Sequence, residues 1–508
     1  MKHSDMTRAD KVRGSMIGGA AGDALGYAVE FMRLGAIKQR YGHEGITEYD
    51  LEPFFLNQSG KGFISDDTQM CLFTANGILM HDFYGERKPL AYCVYLAYLD
   101  WLKTQADFKS KNESHYTWLY EIPELHSRRA PGITCTSALM SGRMGSITYP
   151  LNDSKGCGGI MRVAPVGLRY IPETDIELRK IDSWGADISA ITHGHSLSWF
   201  PSAILTHIII RLMQSYNLKD AVQDAWNMNK KLFTGKISED DSDTMFDLMD
   251  AAYKLANSKH DDEHNIGELG GGWVAEETLA IALYCAFRYT DDFSKALIAS
   301  VNHDGDSDST GAVAGNIMGA IVGYDAIADK WKDNLELKDV ILEISDDLCS
   351  DTWPEGRYKM KAYDIERFID AQNDERSINY EYALNEIKNG KKRTHWIWYV
   401  FPQMKGLGHS TASNFYGIED IDEAREYISH PVLGARLREI TQELLNLNEN
   451  DPVKIMGEID AMKLRSCMTL FAQVSENDSV FHKVLDKFFL GDEDRETIRI
   501  LKGYNSCK

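Results

Sequence analysis

The sequence predicts a mainly α-helical protein of two domains, the second smaller and mostly helical. Three observations carry that prediction. Apolar residues recur at helical spacing through Pro201–Met213 and Thr278–Phe287, and few segments alternate as strands would. Glycines fall every fourth residue at Gly14, Gly18, Gly22 and Gly26, and again at Gly311, Gly315, Gly319 and Gly323, which places each set on one helix face. A chain of 508 residues also exceeds what one typical core accommodates, so two domains or more are the default.

Taken in chain order, the elements divide between packing and chemistry. Met1–Asp10 is polar and lacks the apolar segment of a signal peptide. The first glycine stripe costs up to about 1 kcal/mol per helical site relative to alanine, a loss that close approach of a second backbone offsets. Gly22-Asp23-Ala24-Leu25-Gly26 leads to Glu30, a lone carboxylate in an apolar stretch. Alone, Glu30 reads equally as a surface carboxylate or a cap. Ser65-Asp66-Asp67-Thr68 has the residue types of a helix cap and also those of a ligand set. Gly156-Cys157-Gly158-Gly159-Ile160-Met161-Arg162 is a small-residue loop whose backbone N–H groups suit a phosphate. It lacks the lysine-hydroxyl pair of a Walker loop and the spacing of a dinucleotide fingerprint. His193 and His195 flank Gly194. Ser238–Asp243 and Lys259–His264 are acidic and polar, and are expected to be solvated surface or loop.

The second acidic stretch, Asp304-Gly305-Asp306-Ser307-Asp308-Ser309-Thr310, runs into the second glycine stripe. Its alternating aspartates imitate a calcium loop, but Ser309 stands where that loop needs glycine and Gly315 where it needs a bidentate glutamate. A membrane reading of the stripes fails too, because Asp23 and Asn316 interrupt stretches already too short to span. If the fold unites the two acidic stretches, Asp66, Asp67, Asp306 and Asp308 face one another. Two like charges about 4 Å apart repel by roughly 4 kcal/mol at an effective dielectric of 20. A hard divalent cation such as Mg²⁺, which prefers carboxylate, hydroxyl and water oxygens, relieves that repulsion.

The net charge of −22 argues against bulk nucleic acid as a partner, since phosphate backbones need a basic face. The eight cysteines include no C-x-x-C pair, so neither a zinc site nor a disulfide framework is indicated. No run of 18 or more apolar residues suggests a membrane span. A cytoplasmic protein with reduced thiols is the expectation.

Several motifs occurring together, in order, resemble the ADP-ribosylglycohydrolase family, including its dinitrogenase reductase-activating members. The matching segments are GDALGYAVEF at 22–31, SDDTQM at 65–70, KGCGGIMRVAPVGL at 155–168, THGHS at 192–196, GGWVAEETLAIALY at 271–284 and NHDGDSDSTGAVAGNIMG at 302–319. The resemblance covers a domain at residues 8–354 and implies an all-helical, orthogonally packed fold with two Mg²⁺ ions, replaceable by Mn²⁺, at the base of a cleft. It implies metal ligands at Ser65, Asp66, Asp67, Asp306, Asp308 and Ser309. It places Glu30 near the scissile bond, with Glu30, Asp66 or Asp67 as general acid or base. The loop from Gly156 through Cys157, Gly158, Gly159, Ile160 and Met161 to Arg162 matches one that wraps diphosphate and distal ribose, and His193 matches a ligand-contacting histidine. The implied activity is Mg²⁺-dependent hydrolysis of the glycosidic bond between ADP-ribose and an arginine-like nitrogen or serine-like oxygen. Substrates would be an ADP-ribosylated protein or a small conjugate. A catalytically silent ADP-ribose-binding module and a hydrolase of a free ADP-ribose ester are the competing readings.

Character changes after Trp353-Pro354-Glu355-Gly356, the expected junction. Residues 361–505 resemble a bacterial domain family of unknown function that sometimes carries a calpastatin-like label. The matching text is RFIDAQN at 367–373, HWIWYVFPQMKGLG at 395–408, HPVLGARL at 430–437 and MKLRSCMTLF at 462–471. Trp396, Trp398 and Tyr399, near Lys391, Lys392, Arg393 and Arg465, fit either a base-stacking surface or core anchors beside a solvated basic run.

Overall fold

In the computed structural model, the described residues are 6–505 except 54–59, 86–88, 106–114, 355–356, 359–364, 375–376, 409, 431 and 476–478. The expected junction residues Glu355 and Gly356 therefore lie outside them, as do Cys507 and the first five residues. Among the described residues there is no β-sheet, only isolated bridges such as Gly62 with Leu335 and Gly156 with Val274. The mainly α architecture follows the sequence. The chain forms two compact units, Met1–Lys361 and Ala362–Lys508.

The first unit is organised by the two glycine stripes. Helix Arg8–Tyr27 and helix Ser307–Val322 lie antiparallel and back to back. A methyl group added at Gly14 would stand 2.5 Å from the Gly319 carbonyl oxygen. One at Gly18 would collide with Gly315, one at Gly22 with Gly311, and one at Gly26 with Ser307. Only glycine permits that approach. Ser15 and Asn316 lock the pair by donating to each other's backbone carbonyls at 2.9 Å each. The register has a functional result. It sets the exit of the first helix, which carries Glu30, against the entry of the second, which carries Asp306 and Asp308.

Helix Asp66–Tyr84 begins where the Ser65 side chain accepts the Asp67 N–H at 3.1 Å, so the first acidic motif is a cap as well as a candidate ligand set. Helix Ser196–Met213 is long and apolar enough to cross a membrane by length and composition, but 89% of it is buried inside the protein. It is a core helix of the unit.

The two acidic stretches expected as solvated surface or loop are mostly exposed, as expected, and are helix starts. Ser238 caps helix Glu239–Ala256 by accepting from Asp241, and Asp261 caps helix Asp262–Leu269 by accepting from His264. Acidic residues fill both first turns, where they satisfy orphan N–H groups and meet the positive end of the helix dipole. Polarity gave the solvated surface; the cap positions add why acidic residues stand there.

The unit continues beyond Trp353. The Trp353 indole donates to the Asp347 carbonyl at 2.9 Å, and Arg357 and Tyr358 both donate to the Asp347 carboxylate.

The second unit has its own core around Trp396, Phe401, Tyr427, Leu437, Phe471 and Phe481, enclosed by short helices and the longer Leu433–Asn446 and Glu458–Val474. Trp396 is fully buried, with its indole N–H on Glu386 at 2.8 Å, and Tyr399 is buried with its hydroxyl on the Ile378 carbonyl. Both are core anchors. Lys392 pairs with Asp460 at 2.7 Å, which removes it from any basic surface, while Lys391, Arg393 and His395 are exposed.

Candidate active site

A cleft of about 710 Å³ opens in the first unit. Glu30, Asp66, Asp67, Asp306, Asp308 and Ser309 line it, so the two acidic stretches meet as the sequence suggested. The contact between them is direct: the Ser309 hydroxyl donates to Asp67 Oδ2 at 2.8 Å. Asp66 Oδ2 accepts the Gly132 N–H at 3.1 Å. Asp306 caps helix Ser307–Val322, and Asp308 lies in its first turn. Two helix N-termini thus deliver four carboxylates to one place, and their dipoles favour the charged forms.

Burial opposes the charged forms and prevails. Asp66, Asp67 and Asp306 are all pushed far above the usual carboxylate range, first by burial; Asp308 adds to the rise in each. Glu30 is raised by burial and then by Asp308, which its carboxyl group touches. Its Oε2 is buried without a hydrogen-bond partner. The donor set of Glu30, the four aspartates and Ser309 is all oxygen, and the exposed Arg128 is the one lysine or arginine among the described lining residues. These residues fit a hard divalent cation by chemistry. Among the described residues, no three of the His, Cys, Asp and Glu side chains converge on one point as in a closed metal site. The carboxylates line the cleft instead.

The remaining expected residues separate into two groups. Gly156, Cys157, Gly158, Met161 and His193 line the cleft. The Cys157 thiol donates to Asp306 Oδ2 at 2.9 Å, and burial followed by Asp306 raises its pKa. His193 is buried with its Nδ1 2.9 Å from the Thr192 hydroxyl. Burial, then the Arg162 charge, lowers its pKa to about 3, so its ring is neutral.

Ser65, Gly159, Ile160 and Arg162 do not line the cleft. Ser65 is spent on capping and on Asp23, to which its N–H donates at 3.0 Å. A methyl group at Gly159 would strike Ser189 and Ser198, so this glycine serves packing behind the loop. Ile160 is fully buried. Arg162 is fully buried too, donating to Thr192 Oγ1 at 2.6 Å and stacked 4.6 Å over the Tyr98 ring. It holds the His193 loop in place from behind.

Three contributors fall inside the matching motifs but were given no role from the sequence. Asp23 is fully buried and accepts from the Ser65 and Thr68 N–H groups and from the Thr68 hydroxyl, which fixes the start of the Asp66–Tyr84 helix. Phe31 and Trp273 stand at the cleft.

A family model described as ADP-ribosylglycohydrolase matches residues 4–357. The chain belongs to the ADP-ribosylglycohydrolase family. A second model, described as a protein of unknown function (DUF1810), matches residues 362–501, and its description gives no support to a calpastatin-like label. The ADP-ribosyl-[dinitrogen reductase] glycohydrolase of Rhodospirillum rubrum is 27% identical over 335 residues, covering 65% of this chain and 91% of its own. Human ADP-ribosylhydrolase ARH3 is 26% identical over 214 residues, 36% of this chain and 54% of its own. A crystal structure of a conserved hypothetical protein from Mycobacterium tuberculosis is 38% identical, covering 28% of this chain and 97% of its own, with a TM-score of 0.27.

Proposed function

We infer that this ADP-ribosylglycohydrolase-family chain is a Mg²⁺-dependent hydrolase of the glycosidic bond between ADP-ribose and an acceptor on a protein or small conjugate. The observation that carries the reading is the set of buried carboxylates, Asp66, Asp67, Asp306 and Asp308, joined through Ser309 in one cleft. A binding module has no use for groups that repel one another unless a cation is present. The same four aspartates and Ser309 would hold the divalent ion. When bound, it would supply charge that orients ribose hydroxyls and favours ionisation of a nearby water.

The chain's own residues account for the rest. Glu30 borders the carboxylates and, with its pKa raised, retains a proton. A proton held there can pass to the departing acceptor as the glycosidic bond lengthens and the anomeric carbon gains oxocarbenium character. Gly156 and Gly158 carry no side chains of their own beside His193, so their backbone can approach the diphosphate. Neutral His193 offers a hydrogen-bond partner without adding charge.

The deciding experiment measures free ADP-ribose released from arginine-linked and serine-linked conjugates, with Mg²⁺ and with EDTA. Release that EDTA abolishes supports the reading. Binding of ADP-ribose without release from either conjugate would instead favour a binding module.

A further inference from the structure

The first turn of helix Ala275–Arg288 carries two glutamates, and neither lines the cleft. Glu276 pairs with Lys155. Glu277 instead reaches back past the helix start. Its Oε2 accepts the N–H of Gly271 at 3.0 Å and that of Gly272 at 3.1 Å. Gly270 and Gly272 have φ of +118° and +74°, so this is a left-handed turn that glycine suits. The Thr278 hydroxyl donates to the Gly272 carbonyl at 2.7 Å and ties the turn to the same helix. A cap serves its helix by accepting N–H groups of the first turn. Those of Gly271 and Gly272 lie outside the helix, so the Glu277 carboxylate serves the turn.

That turn meets the carboxylate end of the cleft at two points. The Gly271 carbonyl accepts the Asp306 N–H at 2.8 Å. Gly305 leaves room for it, since a methyl group there would collide with the same oxygen. The Trp273 carbonyl accepts the Cys157 N–H at 3.2 Å, and the Ala275 N–H donates to the Lys155 carbonyl at 2.9 Å. Cys157 and Asp306 then meet, thiol to Oδ2, at 2.9 Å. The backbone of Asp306 and a partner of its carboxylate are thus both held by the segment that Glu277 orders.

We propose that Glu277 is a positioning residue for the divalent ion. It fixes the Gly271 carbonyl, which fixes the Asp306 backbone and hence the direction from which that carboxylate meets the ion. The proposal rests on the Mg²⁺ reading of the cleft. Metal ligands take their orientation from the partners behind them, and losing such a partner lowers affinity by about 10–100-fold.

The test is calorimetric titration of Mg²⁺ into the full chain without substrate, beside thermal midpoints in EDTA. Glu277→Ala should bind Mg²⁺ about 10–100-fold more weakly than the wild type. Glu277→Gln keeps a carbonyl oxygen for the two N–H groups and should recover most of that affinity. Glu277→Asp keeps the charge on a shorter side chain that cannot span to both, and should bind as weakly as the alanine variant. A role in folding alone lowers the midpoints and leaves the Mg²⁺ affinity of the folded variants at the wild-type value. That result overturns the proposal and leaves the Mg²⁺ reading intact. If Glu277→Ala does not fold, the other two variants decide, and equal affinities for them reject the positioning role. A wild type that binds no Mg²⁺ overturns both the proposal and the reading beneath it.

Discussion

After burial, Asp308 contributes to the raised pKa of Glu30, Asp66, Asp67 and Asp306 alike. Asp308→Asn removes that charge with little change of shape. In EDTA its thermal midpoint should equal or exceed that of the wild type, since one repelling carboxylate is gone. Mg²⁺ at a hundred times its dissociation constant stabilises a binding protein by about 2.7 kcal/mol; the variant should lose that gain together with hydrolysis. Unfolding of the variant in EDTA would make Asp308 a structural residue instead. His193 supports a second prediction. Its pKa is near 3 in the folded chain against about 6.5 when unfolded. Between those values the unfolded chain binds the extra proton, so this group's contribution to stability is lost as pH falls below about 6.5, by up to about 1.4 kcal/mol per unit. The ring proton resonances of His193 should stay fixed between pH 7 and 5, and a midpoint near 6.5 would refute its burial as the cause. The carboxylates and His193 were legible in the sequence as residue types in a recurring order. Asp23 stood in a quoted motif, but its role was not legible, because its partners Ser65 and Thr68 lie beyond the first helix.

The glycine stripes were legible as a period, and their pairing follows from it: Gly14 with Gly319, Gly18 with Gly315, Gly22 with Gly311. Their consequence was not legible, since the register that sets Glu30 against Asp308 exists only once the helices pack. Gly22→Ala tests that link. Its methyl group would overlap the Gly311 carbonyl, and overpacking of that kind costs about 1–3 kcal/mol. Activity should fall further than the folded fraction does, because any separation of the helices also separates Glu30 from Asp308. Gly35→Ala is the control. That site is helical and exposed with open space around it, so alanine should stabilise by about 0.4–1 kcal/mol. Equal midpoints for the two variants would remove the helix pair from any role in ordering the site. The acidic starts at Ser238 and Asp261 show the opposite limit. Their composition was plain, but capping depends on where the following helix begins, and the apolar pattern there is too weak to mark it.

At the scale of the whole molecule, each unit has a core of its own, and every residue assigned to the cleft belongs to the first. A chain ending at Lys361 should therefore fold and keep its ADP-ribose hydrolysis. The change of character at Trp353-Pro354 suggested an earlier end, but Pro and Gly punctuation marks a turn whether or not the domain has finished. Tyr358 is fully buried with its hydroxyl on Asp347, and Arg357 reaches the same carboxylate at 2.8 Å and stacks on Trp118. Removing both leaves Asp347 without either donor and exposes the surface that Tyr358 covered, worth about 1.5–3 kcal/mol for a large side chain. A chain ending at Pro354 should accordingly melt at lower temperature than one ending at Lys361, with kcat/KM per folded molecule the same in both. If the Lys361 chain is folded but inactive, the second unit supplies part of the site. If the two melt alike, the segment from Arg357 to Tyr358 is linker, and the boundary belongs where the sequence changes character.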